Sequence, residues 1–470
     1  MNRMVVGSIL GMALLAVGIA PASGASSSKS IGINVVLNTE IRTANLSELG
    51  KYGTVLDTYP QIRAVTMKAK AANLPPIQAL PFVAGANPDA ERFAPPIDTV
   101  ALSDFSGGIN TWDLDAINVT DFGAGRVAAY DGTGVYVAVL DTGLMGTWRQ
   151  YFPEERIAEQ YAISFSGGGG ERGSVSTQPN TWGLATHPHG THISSTILGF
   201  SLFGTPINGV APMSTVIPVK VLHNSGFGWS AMVAAGITYV GDLKAGPLAS
   251  SPVVINMSLG GPALDAMEQA AIDYAIAQGV VVVASAGNEG EAGMGYPGAY
   301  EPVISAGASG WIGEWLSSSN LPFNSGWWVN RNVPDPTDAA QSYVTDFSSR
   351  EFPGQDLDVL APGSWVVGPW QTQMGKISYF FVGGTSMSSP HVAGTVALML
   401  DKNSTLTATQ AEGILESTAF PLLVTDSRTV FDVFQGAFAT VSWDTSCGST
   451  SCDPVGSGLL QADAALTATP

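Results

Sequence analysis

Short apolar runs rich in β-branched residues recur through the middle of this 470-residue chain, with stretches of helical spacing among them. Residues 135–140 read Val-Tyr-Val-Ala-Val-Leu, 216–222 and 253–259 are two more such runs, and 280–283 is four valines in succession. A strand buried on both faces requires such a run, because neither face alternates toward water. Leu264, Met267, Ala271 and Ala275 recur at helical spacing, and Gly279 is placed to end that helix just before 280–283. Pro390 is expected in the first turn of another helix reaching about Leu400, where its missing N–H costs little. This alternation predicts an α/β fold, a doubly wound and mostly parallel sheet with helices on both faces.

Upstream of that pattern the chain changes character. Arg3 precedes an uncharged apolar stretch from Met4 to Ala20, and small residues follow at Ala20, Ala22 and Gly24. This predicts an export signal over 1–25, with secretion after its removal, rather than a stable membrane anchor. Residues 26–95 are expected to form a small α+β unit, with strands near 33–37, 62–67 and 82–86 and a helical stretch at 46–49. Pro95-Pro96 predicts a linker over 93–100, and 96–470 is the remaining body. The unit carries seven basic and five acidic residues, whereas everything after it carries 11 and 33. An acidic body disfavours nucleic acid and anionic membranes as partners and attracts a weakly basic leader segment.

Two stretches look like insertions. One is 164–181, with Gly167 to Gly170. The other is 311–343, with Trp311, Trp315, Trp327 and Trp328. A flap folded onto the body is the simpler expectation for the second, and an exposed aromatic platform is the alternative. Cys447 and Cys452 are the only cysteines, and in an exported chain their spacing predicts a local disulfide.

Four segments carry reactive side chains. Asp141 follows the run 135–140 directly, at the strand end where open parallel sheets form sites. A carboxylate there either orients a histidine or caps a turn. His189 lies in His187-Pro188-His189-Gly190-Thr191-His192, which holds three of the chain's five histidines, so a metal site competes with a catalytic base. His192 reads as a buried, hydrogen-bonded histidine. Ser386 follows Gly383-Gly384-Thr385 and opens a helix, where its hydroxyl is either a simple cap or a nucleophile favoured by the helix dipole. Asn288, in Ala286-Gly287-Asn288-Glu289, is a turn residue or an amide donor to an oxyanion.

Taken together, Val139-Leu140-Asp141-Thr142-Gly143, His189-Gly190-Thr191-His192, Ser285-Ala286-Gly287-Asn288 and Gly384-Thr385-Ser386-Met387 resemble the subtilisin-like serine proteases, in that family's order. The resemblance implies serine endopeptidase chemistry with Asp141, His189 and Ser386 as the triad and Asn288 in the oxyanion hole. It implies that 26–95 is an inhibitory propeptide assisting folding, and that no cofactor is needed for the chemistry. Gly226, Phe227 and Gly228 on one side, and Ser258, Leu259 and Gly260 on the other, would sandwich an extended protein or peptide substrate. The pocket for the residue before the scissile bond would lie between Ser258-Leu259-Gly260 and Ala284-Ser285-Ala286, with Gly295 at its floor and Glu289 at its rim. A large apolar or aromatic residue is expected there. A secreted esterase with the same triad is the alternative, and the paired substrate strands favour peptides. The loop 199–206 lacks the acidic residues of the family's common calcium site, so structural calcium is expected only without an assigned position. A monomer is expected.

Overall fold

The structure, a computed structural model, describes residues 29–470 except 94–97, 103–109, 123, 171–172, 179, 330–337, 372 and 374. The expected export signal and the Pro95-Pro96 step lie outside the described residues.

The N-terminal unit is a four-stranded antiparallel sheet in the order Gly53–Tyr59, Ala64–Lys70, Ser30–Leu37, Val83–Pro88. Ile33, Val35, Leu37, Val65 and Met67 point into its core with Leu49 and Ile77 from the helices Thr43–Leu49 and Leu74–Gln78. Three of these strands match the sequence expectation. The edge strand Gly53–Tyr59 has no counterpart in it, and none of its residues is fully buried, so it lacks a clean period-two signal.

The main sheet runs Ser176–Thr177, Ile163–Ser166, Thr215–Lys220, Tyr136–Asp141, Val253–Met257, Val280–Ser285, Ile304–Trp311, Ser342–Val344, with Val359–Pro362 also paired to Ile304–Trp311. Its inner pairs are parallel, and antiparallel pairs close both ends. Alternate residues serve opposite faces. Val137 and Val139 join the core under the helices His189–Leu198 and Thr385–Lys402. Ala138 and Leu140 join the core under Ser230–Ala245 and Ala266–Ala277. The sheet is doubly wound, as its apolar runs predict.

Three sequence expectations are corrected. Leu264 lies before the helix Ala266–Ala277, because Asp265 caps it by accepting from Met267 N and Glu268 N. Pro390 lies inside Thr385–Lys402, beyond the first turn. The Ser386 carbonyl, which a residue other than proline at 390 would bond, instead accepts the Ser258 hydroxyl at 2.8 Å. The linker expected at 93–100 is strand at both ends. Glu91–Phe93 pairs with Phe227–Trp229, and Asp98–Leu102 pairs with Tyr379–Gly383, two edges that otherwise present unpaired backbone.

The first insertion meets the N-terminal unit, where Gly32 N donates to the Gly169 carbonyl at 3.1 Å, and the second folds onto the body. Trp311, Trp315, Trp327 and Trp328 are all buried, as the flap reading requires. A second excursion has no signal in the sequence pattern. Phe420 and Leu459 exchange backbone hydrogen bonds of 2.7 and 2.9 Å, so residues 421–458 leave the body and return to the same point. They carry the hairpin Asp426–Asp432 with Ala437–Trp443, and then the Cys447–Cys452 disulfide.

Candidate active site

Asp141 ends the strand Tyr136–Asp141, and its side chain is fully buried. One carboxylate oxygen accepts from Thr142 N at 2.6 Å. The His189 Nδ1 approaches both oxygens, at 2.9 and 2.8 Å. A carboxylate only accepts, so Nδ1 carries the proton of the neutral ring and Nε2 keeps its lone pair. His189 Nε2 is buried and has no hydrogen-bond partner among the described residues.

His189 begins the helix His189–Leu198, and the next residue must be glycine. A Cβ on Gly190 would lie 2.5 Å from the Gly143 carbonyl oxygen. The helix start therefore presses directly against the Asp141-Thr142-Gly143 turn, and Gly190 N donates to Thr142 Oγ1 at 3.0 Å. Trp370 stands edge-on to the rings of His187, His189 and His192 at 6.0, 6.5 and 5.9 Å. Burial pushes His187 down to about 4 and His192 to about 3, so both neighbours stay neutral at ordinary pH. His192 Nε2 faces the Val366 carbonyl at 3.2 Å, consistent with its structural reading. Asp141 takes His189 Nδ1 and the Val366 carbonyl faces His192 Nε2, and among the described residues these histidines do not come together as a group of three potential metal ligands.

Ser386 is 3% exposed at the start of Thr385–Lys402, after Gly384 at φ 145°. Its hydroxyl donates to the Ser258 carbonyl at 3.2 Å. Asn288 Oδ1 accepts from both Thr385 N and Thr385 Oγ1 at 2.9 Å. A backbone N–H only donates, which fixes the amide orientation and leaves Nδ2 as the free donor face. This hold of Thr385 on Asn288 is a contact that sequence reasoning missed. Lys220 is another omission. It is buried beside Asp141, donates to the carbonyls of Thr142 and Leu222, both at 2.7 Å, and burial pulls it down to about 8.

The segments expected to line the pocket converge. Gly295 N donates to the Ala286 carbonyl at 2.8 Å, and Gly261 and Tyr296 exchange backbone hydrogen bonds of 2.9 and 2.8 Å. Ser258, Leu259, Ala284, Ser285 and Ala286 are all buried there. Glu289 is exposed beside Asn288, and its carboxylate accepts from Ser349 Oγ at 3.1 Å. Phe227 and Gly228 are already paired with the chain's own Glu91–Phe93, and Gly226 lies just beyond that ladder.

The loop 199–206 forms the small hairpin Phe200–Leu202 with Thr205–Ile207 and offers no carboxylate. Asp356, Asp358 and Glu412 instead bring ligand oxygens within 4.8 Å of one another. Burial raises Asp358 to about 8 and Glu412 to about 7, and Asp358 Oδ1 is buried without a hydrogen-bond partner among the described residues. Hard oxygen donors of this kind suit calcium. Their separation along the chain hid them from a motif search.

An imidazole oriented by a buried carboxylate and a helix-start serine thus both stand among the strand ends of a parallel α/β sheet. Residues 132–448 match the model of the subtilase family. Subtilisin DY of Bacillus licheniformis is 33% identical over 298 residues, spanning 63% of this chain and 86% of that protein. Subtilisin Savinase of Lederbergia lenta is 30% identical over 335 residues, spanning 71% of this chain and 91% of its own. Fervidolysin of Fervidobacterium pennivorans, described as a keratinolytic enzyme related to subtilisin, shares the fold with a TM-score of 0.64 at 24% identity. That match covers 95% of this chain and 62% of fervidolysin. The chain belongs to the subtilase family.

Proposed function

We propose that this chain is an exported zymogen that frees its own active site and then cleaves proteins through Ser386, His189 and Asp141. The observation that carries this reading is the buried Asp141–His189 pair, with Nε2 left unoccupied for the serine proton. Ser386 Oγ attacks the scissile carbonyl and passes its proton to His189 Nε2. Asp141 stabilises the resulting imidazolium. Asn288 Nδ2 and the Ser386 N–H, one of the amides a helix start leaves free, stabilise the oxyanion. His189 then protonates the leaving amine, and water repeats the sequence on the acyl-enzyme.

The role of 26–95 as propeptide is supported by how that unit docks. Glu91–Phe93 lies antiparallel on Phe227–Trp229, as a substrate backbone would. Arg92 and Glu268 form a fully buried ion pair between unit and body. Asp89 accepts from Ala231 N at 3.0 Å and Asn87 Oδ1 from Ala266 N at 3.0 Å, so the unit caps two body helices. Removing such a partner exposes a buried charge, which favours docking until cleavage allows release. The convergent small-residue walls at Gly260, Ala286 and Gly295 support a preference for a large apolar or aromatic residue before the bond, worth roughly 1.5–3 kcal/mol of burial. Asp356, Asp358 and Glu412 are the residues that would hold a structural calcium, and the chemistry uses none. Secretion is supported by the leader sequence and the disulfide. Among the described residues no helix is long and apolar enough to cross a membrane.

Ser386→Ala tests the reading. Full-length precursor should accumulate with its N-terminal unit attached, and proteolysis should fall by roughly 10⁶-fold, the loss already measured for the nucleophile of subtilisin itself. Normal trimming of the purified variant with no other protease present would refute it.

A further inference from the structure

An open groove of about 640 Å³ begins at Asn288 and runs away from the Phe227–Trp229 ladder. Its direction follows from the strand order. Phe227–Trp229 follows Thr215–Lys220 on one side of Asp141, whereas the groove walls at 289–291 and 343–347 follow Val280–Ser285 and Ser342–Val344 on the other. The chain's own order in the ladder, Glu91 before Phe93, runs toward Gly226, where a Cβ would lie 3.2 Å from His187 Nε2. A polypeptide bound this way reaches the histidine cluster first. Its residues beyond the scissile bond then reach the groove.

Two regions that the catalytic motifs leave unexplained shape the groove, the excursion as one wall and the flap, which adds only Tyr343 to the lining, behind the other. Its outer wall is the hairpin of the 421–458 excursion, from Val430 to Phe434. Its inner wall includes Trp365, a bulky residue held at φ 50°, in the left-handed region. The two walls meet where the Trp365 and Phe434 rings lie 5.6 Å apart. From behind, Trp315 of the flap packs edge-on to Trp365 at 5.4 Å. Glu314 of the flap accepts from Ser364 Oγ at 2.9 Å, fixing the residue beside it. The flap therefore supports the wall instead of touching substrate.

The lining carries one sign of charge. Glu289, Glu291, Asp346 and Asp432 line the groove, and no Lys or Arg does among the described residues. Arg350 lies buried behind, donating to the Thr345 and Ser348 carbonyls. We propose that flap and excursion together form a subsite selecting Lys or Arg at roughly two to four positions beyond the scissile bond, at ~3.3 Å per extended residue. Phe434, 67% exposed, gives the basic side chain's stem an apolar surface. This rests on the endopeptidase reading above and adds selection on the leaving-group side.

Quenched fluorescent peptides with the same sequence up to the bond, ending in Phe, and with either Arg or Glu at the second to fourth positions after it, provide the test on the processed enzyme. The Arg series should exceed the Glu series in kcat/KM by about fivefold to tenfold at low salt. The ratio should shrink toward one at roughly 0.5 M salt, where the screening length falls to a few ångströms. It should also shrink in a Glu291→Gln, Asp346→Asn double variant, both positions being exposed. Equal rates for the two wild-type series, or a Glu preference, would overturn the subsite while leaving the protease reading intact. A ratio unchanged in the double variant would remove it from this groove. Failure to cleave any peptide would instead overturn the protease reading.

Discussion

At the centre of the sheet, Asp141 ends one strand, Ser258 and Asn288 follow the next two, and a few hydrogen bonds, several of them to backbone atoms, hold each in place. At the flank beyond Ile304–Trp311, the same sheet is covered by stacked aromatic rings. Trp327 lies against Phe381 at 5.7 Å with planes 9° apart, and Trp315 lies 4.5 Å from Phe381. The centre tolerates no extra atom, as Gly190 against the Gly143 carbonyl shows. The flank is specified by volume and burial, and many aromatic sequences fill a volume. Geometry fixes the first region and packing fixes the second, and mutations separate the two.

Trp327→Ala should have the largest effect on the flank. The side chain is fully buried, and truncating a buried tryptophan costs about 3–5 kcal/mol. Denaturant unfolding in a Ser386→Ala background, which prevents self-digestion, measures this. Turnover per folded molecule should survive, and a folded but inactive Trp327→Ala enzyme would show that the two regions are not separable. Asn288→Leu is the converse. It should lower kcat by roughly 10²–10³, about 3–4 kcal/mol, a magnitude already measured for the oxyanion-hole asparagine of subtilisin. KM and thermal stability should stay nearly unchanged, and a matching rise in KM would place Asn288 in ground-state binding.

Glu314 sharpens the comparison through pH. Burial raises its carboxyl to about 7, despite donors at Trp311 N, Tyr343 Oη and Ser364 Oγ. A folded-state value above the unfolded one means stability is fully present below about pH 4.5 and is lost as pH rises through about 7. The flank should therefore weaken between pH 5 and 9 by at most about 3 kcal/mol. Scanning calorimetry of the Ser386→Ala protein against the same protein with Glu314→Gln should show a steeper loss of stability with pH in the former, Asp358 and Glu412 contributing to both, and parallel slopes would contradict it. The smallest effect expected is at Cys447–Cys452. Closing so short a loop contributes about 2 kcal/mol in the chain-entropy estimate, and two titratable thiols in unreduced, denatured protein would refute the bond.

The same contrast explains what is legible in the sequence. Asp141, His189, Asn288 and Ser386 each sit in a short contiguous motif, because strand end, turn and helix start are local structures. The flap's burial is readable from its tryptophans, but its purpose is not, since Trp365 and Phe434 lie far from it in sequence. The hairpin Asp426–Asp432 with Ala437–Trp443 buries only Val430, Phe431 and Trp443 and lacks a clean apolar alternation. Pro390 sits deeper in its helix than the sequence suggests, because the Ser258 hydroxyl that satisfies the freed carbonyl comes from another strand. Asp356, Asp358 and Glu412 converge only through the fold.

The central claim is that Ser386 is the nucleophile activated by the Asp141–His189 pair. Peptide mapping after treatment with phenylmethylsulfonyl fluoride tests it directly. The account predicts a single sulfonyl adduct, on Ser386, appearing in step with loss of proteolysis and absent after His189→Ala. An adduct on another residue, or full inactivation with Ser386 unmodified, would contradict it.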